Sequence, residues 1–405
     1  MHGGTTAGPL IHNVLFVSLR ISNIPTDRLP DIAQRFIPPN QSPTPMKSKV
    51  AILVAYTGTP FHGLQYQRTG VPTIEQTLIN GLVEMNLIKR INSTDPKKMH
   101  LQRACRTDKG VHAAFNVIVV NLERGCYDEF IRRFDRLSAG TIGVVNDERN
   151  DERNGERNGE RNGERNGDNM DIPKENSISN TSLALAHHIH VYDVVRVPKS
   201  FNPKNRTDYR IYNYLVPKHM LKVDKETLSS IFDLYVGTKD YHNFTLVSNK
   251  RGSARLIKSI EVREAAGTSE WYEIKISGQS FMMHQIRKMI GFVLLIVNYH
   301  GKDRGTAPAL EIVQKIFALA FSPRLLNIPK APAHPLFLDT PVFHNYNERY
   351  DRHSNLEVNE KKKEIIKTKM IYSEIMTQGC VDMFKEWQEC IEAHIYEYEY
   401  LKEAT

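Results

Sequence analysis

The sequence predicts an α+β protein built as two related halves, and three observations carry that reading. The first half runs strand, helix, strand, with apolar strands at Val50–Tyr56 and Val117–Leu122. The second half, from His188 to Ala320, runs through strands and helices in a loosely similar order. Between the halves, from Asn146, the chain repeats every four residues (NDER, NDER, NGER, NGER, NGER, NGDN) and then resumes a folded pattern. Asn in every period, with Gly from the third period on, opposes a helix, and the run has no apolar residue to bury, so it reads as an expanded, disordered insertion.

Taken in order, residues 1–46 are rich in Pro, Thr, Ser and Asn, lack periodicity, and read as a disordered extension. Leu10 to Ile21 is apolar but has no basic start, so it is a poor secretory signal; three Arg against two Asp before Lys47 give only weak support to a mitochondrial presequence. Residues 47–145 form the first half. Val50–Tyr56 is a buried strand that ends in the turn Thr57-Gly58-Thr59-Pro60. Thr73 and Gln76 make a capping box for a helix with Ile74, Leu78 and Leu82 on one face. A further helix is expected from Tyr127 to Leu137. Residues 146–180 hold the insertion and residues 181–348 the second half. Its strands are expected at His188–Val197, Tyr209–Val216, Leu256–Arg263 and Trp271–Ser277, and its helices at Lys225–Tyr235, Met283–Asn298 and Thr306–Ala320. Residues 349–405 read as a charged helical extension, with Lys361-Lys362-Lys363 favoured as a solvated helix face over a localisation signal.

Composition narrows the function classes. No window is long and apolar enough to span a bilayer; Met289 to Val297 is far too short. The net charge is +8, but Asn146 to Asp171 holds five Arg against five Glu and four Asp, so the rest of the chain carries +12. A basic body of this kind suits a polyanionic partner, most simply nucleic acid. Cys105, Cys126, Cys380 and Cys390 form no CxxC pair and no metal spacing, and read as reduced thiols of an intracellular protein.

Three constellations carry chemistry. In Arg103-Ala104-Cys105-Arg106-Thr107-Asp108-Lys109-Gly110-Val111-His112-Ala113, a lone acid, Asp108, sits between two bases just ahead of a glycine. Those bases offer it charge partners and can also touch phosphate; the plainer alternative is a surface turn with ordinary pairing. Next, Arg210-x-Tyr212-x-Tyr214 puts two tyrosines on one strand face, to stack a base or to line a core. Finally, Ser280 to Gly291 places Arg287 at the start of an apolar helix, where a charge needs an anionic partner such as Asp108.

With their neighbours, these segments resemble the TruA superfamily of tRNA pseudouridine synthases, and within it the eukaryotic multisite enzymes. The resemblance covers about Val50 to Tyr346, repeat excluded. It rests on Tyr56-x-Gly58-x-x-Phe61-x-Gly63-x-Gln65, Thr73-Ile74-Glu75, the Arg106 to Ala113 block, and Arg210-x-Tyr212-x-Tyr214. It continues through Gly237-Thr238 with His242-Asn243-Phe244-Thr245, through Phe281 to Met289, and through Pro329-Lys330-Ala331-Pro332 with Tyr346-Asn347. Two departures are Leu64, where the family usually has an aromatic residue or Met, and Ala333-His334-Pro335 in place of glycines.

The resemblance implies an extended antiparallel sheet shared by the two halves, with a basic catalytic cleft and a helical C-terminal extension. It implies isomerisation of uridine to pseudouridine in tRNA after base flipping, with small nuclear and messenger RNA as further candidate substrates, and neither cofactor nor metal. Asp108 matches the catalytic aspartate, Arg287 its arginine partner, Tyr212 the tyrosine against the target base, and Arg106 a loop arginine that holds the flipped nucleotide. Lys109, Lys204, Arg206 and Lys288 are phosphate candidates on composition alone. A monomer is expected, in the nucleus, with mitochondrion or cytoplasm as alternatives. The rival reading is an inactive RNA-binding chaperone on the same fold, against which an intact Asp108, Tyr212 and Arg287 argue.

Overall fold

A computed structural model describes residues 47–123, 188–246, 252–304, 308–350 and 354–403. The expected N-terminal extension, the Tyr127–Leu137 helix and the insertion at 146–180 lie outside the described residues. The strands described are β1 (Ser48–Tyr56), β2 (Gln102–Arg103), β3 (His112–Leu122), β4 (Ile189–Arg196), β5 (Tyr209–Pro217), β6 (Gly237–Asp240), β7 (Ala254–Glu264), β8 (Trp271–Gly278) and β9 (Leu336–Val342). They form one sheet in the order β4-β1-β3-β9-β5-β8-β7-β6, with β2 paired to β3 off that path.

Every pairing is antiparallel except one. His112 and Ala113 of β3 run parallel to Phe337 and Leu338 of β9. The sheet is therefore mostly, not wholly, antiparallel. β9 inserts between β3 and β5 and pairs with both. β3 starts at His112, earlier than the apolar run at Val117 indicates. Small and polar residues at the start of the strand hide it from pattern reading, yet Ala113 pairs with Tyr56 and Leu338 on its two sides. β1 and β3 are buried on both faces, which explains their unbroken apolar sequences.

Helix α1 (Ile74–Glu84) is capped by Thr73, whose hydroxyl accepts from the Gln76 amide at 3.2 Å. Only half of the capping box forms, because the Gln76 side chain turns to Asn80 at 2.8 Å. Helix α2 (Lys225–Asp233) is capped by Asp224, and α3 (Gln285–Arg304) and α4 (Leu310–Phe321) follow. On α3 the residues Met289, Ile290, Phe292, Val293, Ile296 and Val297 are all fully buried, a wider face than the expected single stripe. The helix is covered from more than one direction. Phe292 packs on Phe317 of α4, and the C-terminal helix α6 (Gln378–Ala393) lies along Leu294, Leu295 and Asn298.

The run Lys361-Lys362-Lys363 lies on α5 (Glu360–Ile366), but it is not a solvated face throughout. Lys363 is buried, with its ammonium 2.9 Å from Thr340 Oγ1 and 3.4 Å from Asp339 Oδ2. Asp339 on β9 is the cause: a carboxylate buried on the sheet draws the lysine arm inward. No helix among the described residues is long and apolar enough to cross a membrane.

Candidate active site

The Asp108 loop links β2 to β3, and most of the residue blocks around it serve to hold it. Asn116 on β3 donates to the Cys105 carbonyl at 3.0 Å and to the Tyr56 hydroxyl at 3.2 Å. Tyr56 in turn meets the Thr107 hydroxyl at 2.8 Å. The Leu64 amide donates to the Thr107 carbonyl at 3.2 Å. Gly63 sits at φ +92°, where a Cβ would stand 3.1 Å from that same carbonyl. Buried Glu75, in the first turn of α1, takes the Arg103 guanidinium on both oxygens and the Tyr66 amide at 2.8 Å. Burial raises the Glu75 pKa in spite of these partners. His112 accepts from the Gly58 amide at 3.1 Å and donates through Nε2 to the His334 carbonyl at 2.9 Å. That arrangement suits a neutral ring, and burial lowers its pKa to about 3. The departure at His334 has a structural use of its own: its ring lies edge-on to His112, with centroids 5.0 Å apart, and its Nε2 donates to the Glu374 carbonyl at 3.0 Å.

Facing the loop are β5, the start of α3 and the segment Pro329–Pro332. Burial raises the pKa of the Cys105 thiol on the Asp108 loop, and the neighbouring Arg210 and Tyr212 side chains oppose that rise. The Tyr212 ring lies edge-on to Phe281, with centroids 5.3 Å apart. Burial of its hydroxyl, then the Cys105 thiol, pushes the phenol well above its ordinary pKa, so it stands as a neutral donor or acceptor. Tyr214 donates to the Pro332 carbonyl at 2.9 Å. Arg287 Nε donates to the Ala331 carbonyl at 2.7 Å, and the Ala331 amide returns a bond to the Arg287 carbonyl at 3.0 Å. Burial works against the Arg287 charge, while Tyr214 and Asp108 support it.

Arg287 and Asp108 therefore share the site and act on each other through space. The ion-pair contact that Asp108 makes within 4.0 Å among the described residues is a different one: His284 Nε2, at 3.5 Å from Oδ2. His284 adopts left-handed backbone, φ +65°, and its Nδ1 is buried without a partner. Burial and then Lys330 lower its pKa, which favours the neutral imidazole.

The phosphate candidates divide. Arg106 and Lys109 are exposed on the Asp108 loop. Lys204 and Arg206 are exposed on the helical turn Pro203–Arg206, which Arg210 ties down through the Lys204 carbonyl at 2.9 Å. Lys288 is half-buried and already committed, donating to the Asn243 and Thr245 carbonyls, each at 3.0 Å. Sequence reasoning gave no role to His284 or Lys330, although both stand in segments that carried the resemblance. A strained histidine backbone leaves no mark in sequence, and Lys330 showed only its place between two prolines.

A sequence profile described as tRNA pseudouridine synthase matches residues 231–344, which span β6 to β9 and include Arg287. The chain is 28% identical over 416 residues to tRNA pseudouridine synthase 1 of Candida glabrata, covering 88% of this chain and 73% of that one. It is 31% identical over 351 residues to the protein of the same name in Kluyveromyces lactis, covering 75% and 61%. The chain is thus similar to tRNA pseudouridine synthases over most of its own length. Pseudouridylate synthase 1 homolog of Mus musculus is 30% identical over 337 residues, covering 77% of this chain and 64% of that one. The chain spans less than two thirds of the length of both the Kluyveromyces and the mouse relatives. These alignments extend well beyond the profile match.

Proposed function

We infer that this chain isomerises uridine to pseudouridine in tRNA, with Asp108 as the reacting carboxylate. The observation that carries the reading is Asp108 on a loop braced from β1, β3 and α1, opposite Tyr212 and Arg287, in a chain similar to tRNA pseudouridine synthases. The reaction moves the ribose C1′ from N1 to C5 of the same uracil. Nothing is oxidised and no fragment is lost, so the demands on the protein are a carboxylate, a closed pocket and a flipped base. Tyr212 supplies an aromatic face and a neutral hydroxyl at that base. Arg287 supplies a cation fixed beside Asp108. Arg106, Lys109, Lys204 and Arg206 stand exposed where a phosphate backbone can meet them. On the same reading, residues 47–145 and 181–348 are two related halves sharing the sheet around a basic cleft, residues 349–405 extend them, and the chain acts as a monomer.

Forming the C5–C1′ bond expels the hydrogen on C5. Tritium release from tRNA labelled at uracil C5 therefore reports the reaction directly. The wild-type chain should release tritium, and Asp108→Asn should bind the tRNA with release reduced to background. Binding without release by the wild type would defeat the enzyme reading and favour an RNA-binding role.

A further inference from the structure

Among the described residues, Lys330 is a cation of this site whose ammonium makes no hydrogen bond or ion pair with another protein group. Its side chain is exposed, and it makes no ion pair within 4.0 Å among the described residues. Its neighbours are spent: Arg287 on the Ala331 carbonyl, and Lys288 on two carbonyls of residues 243 and 245. Three cations (Lys330, Arg287 and Lys288) and one acid, Asp108, act together on His284, which stands 3.5 Å from Asp108. The surplus is positive. Of the parts of an RNA strand, the ribose and bases are neutral and only the phosphodiester carries charge.

The backbone under Lys330 is fixed on every side. Its own carbonyl accepts from the Trp387 indole of α6 at 3.0 Å. The next residue, Ala331, is doubly bonded to Arg287, and Pro332 is held by Tyr214. Gly291 of α3 lets the strap lie so close that a Cβ there would be 2.3 Å from the Pro329 carbonyl oxygen. Prolines at 329 and 332 limit the backbone further. A free ammonium on an otherwise immobilised strap, beside the reacting carboxylate, is a built feature rather than a stray surface lysine. Burial and the Arg287 charge both disfavour the Lys330 cation, and an incoming anion relieves that cost.

We propose that Lys330 is a phosphate-binding residue at the catalytic centre, gripping a phosphodiester at the flipped uridine while the Pro329–Pro332 strap, pinned by Trp387, sets its position. This rests on the function proposed above and adds a substrate contact to it. The test uses the full chain and an unmodified tRNA transcript, with binding measured in the Asp108→Asn background at several salt concentrations and turnover in the wild-type background. Lys330→Gln should weaken binding about tenfold, raise KM more than it lowers kcat, and flatten log K against log salt by about 0.7–0.9. Lys330→Arg should keep the slope, and Trp387→Phe, which removes only the hydrogen bond to the strap, should weaken binding less than Lys330→Gln. An unchanged affinity and slope in Lys330→Gln, with the wild type binding and turning over, would overturn this role and leave the proposed reaction standing. So would a shift in the pH profile of kcat with the slope unchanged, since Lys330 would then act on Asp108. A wild-type chain that neither binds nor turns over the transcript overturns both proposals.

Discussion

Replacing Gly291 with alanine sets two effects of opposite sign against each other. In the interior of a helix, Gly→Ala is favourable by about 1 kcal/mol. At Gly291 the added Cβ would lie 2.3 Å from the Pro329 carbonyl oxygen and 3.0 Å from the Ala331 nitrogen. An ordinary contact begins near 3.4 Å, so the strap must retreat by about 1.1 Å. That retreat stretches both bonds between Arg287 and Ala331, now 2.7 Å and 3.0 Å, beyond useful length. Their loss costs about 1 kcal/mol for the neutral bond and about 1.5–3 kcal/mol for the charged one. The net expectation is a destabilisation of about 1.5–3 kcal/mol, read as a lower denaturant midpoint at unchanged m-value. Displacing Arg287 and Lys330 by about an ångström should also cut kcat/KM in the tritium assay by ten- to a hundredfold. Gly81→Ala on α1 is the internal control, because its Cβ would meet nothing within 4 Å; it should stabilise the protein by up to about 1 kcal/mol. If Gly291→Ala matched Gly81→Ala in stability and activity, the close approach of strap and helix would not be what positions the site.

Two further outcomes are expected. Glu75→Gln strands the Arg103 guanidinium and should cost about 3 kcal/mol, the low end for breaking a buried pair because Arg103 keeps 23% side-chain exposure; activity should fall with it, and a loss below 1 kcal/mol in chemical denaturation would contradict the brace. His112 binds its proton only below about pH 3 when folded, against 6.5 in its ordinary state, so between those values the unfolded chain holds the extra proton. Stability should therefore be full above pH 6.5 and decline toward pH 3, with a contribution of up to about 1.4 kcal/mol per pH unit from this ring. Unfolding curves across that range should show a flatter pH dependence for His112→Gln than for the wild type, and identical slopes would rule the contribution out.

Much of the fold was legible because the pattern is local. Val50–Tyr56, Tyr209–Val216 and Trp271–Ser277 announce strands by apolar or alternating runs, and Thr73 announces a helix start. β9 was not legible: Asp339 and Pro341 interrupt it, and prolines at 332 and 335 make its approach read as loop. Nor was β6, which has only four residues, two of them exposed. In the site, residue types and order marked Asp108, Tyr212 and Arg287. Side-chain direction is where sequence reading stopped. Lys288 and Lys363 both look like surface charges in the sequence, yet each turns back onto the protein, one to a pair of carbonyls and the other to Asp339. Lys330 looks no different from them, and it is the one that stays free.

The position of β9 has a consequence for biosynthesis. The strand that fills the middle of the sheet is the last of the described strands to be translated. Until it emerges, β4-β1-β3 and β5-β8-β7-β6 are separate ribbons; β5 presents an unpaired edge, and so does the start of β3, beyond the stretch that β2 covers. About 210 residues separate the end of β3 from the start of β9, so on a ribosome adding about 5–20 residues per second the first edge waits roughly ten to forty seconds. Nascent chains of this protein, more than the finished fold, are where sticking to one another or to a chaperone should be greatest. A truncation anywhere before Leu336 would make that interval permanent.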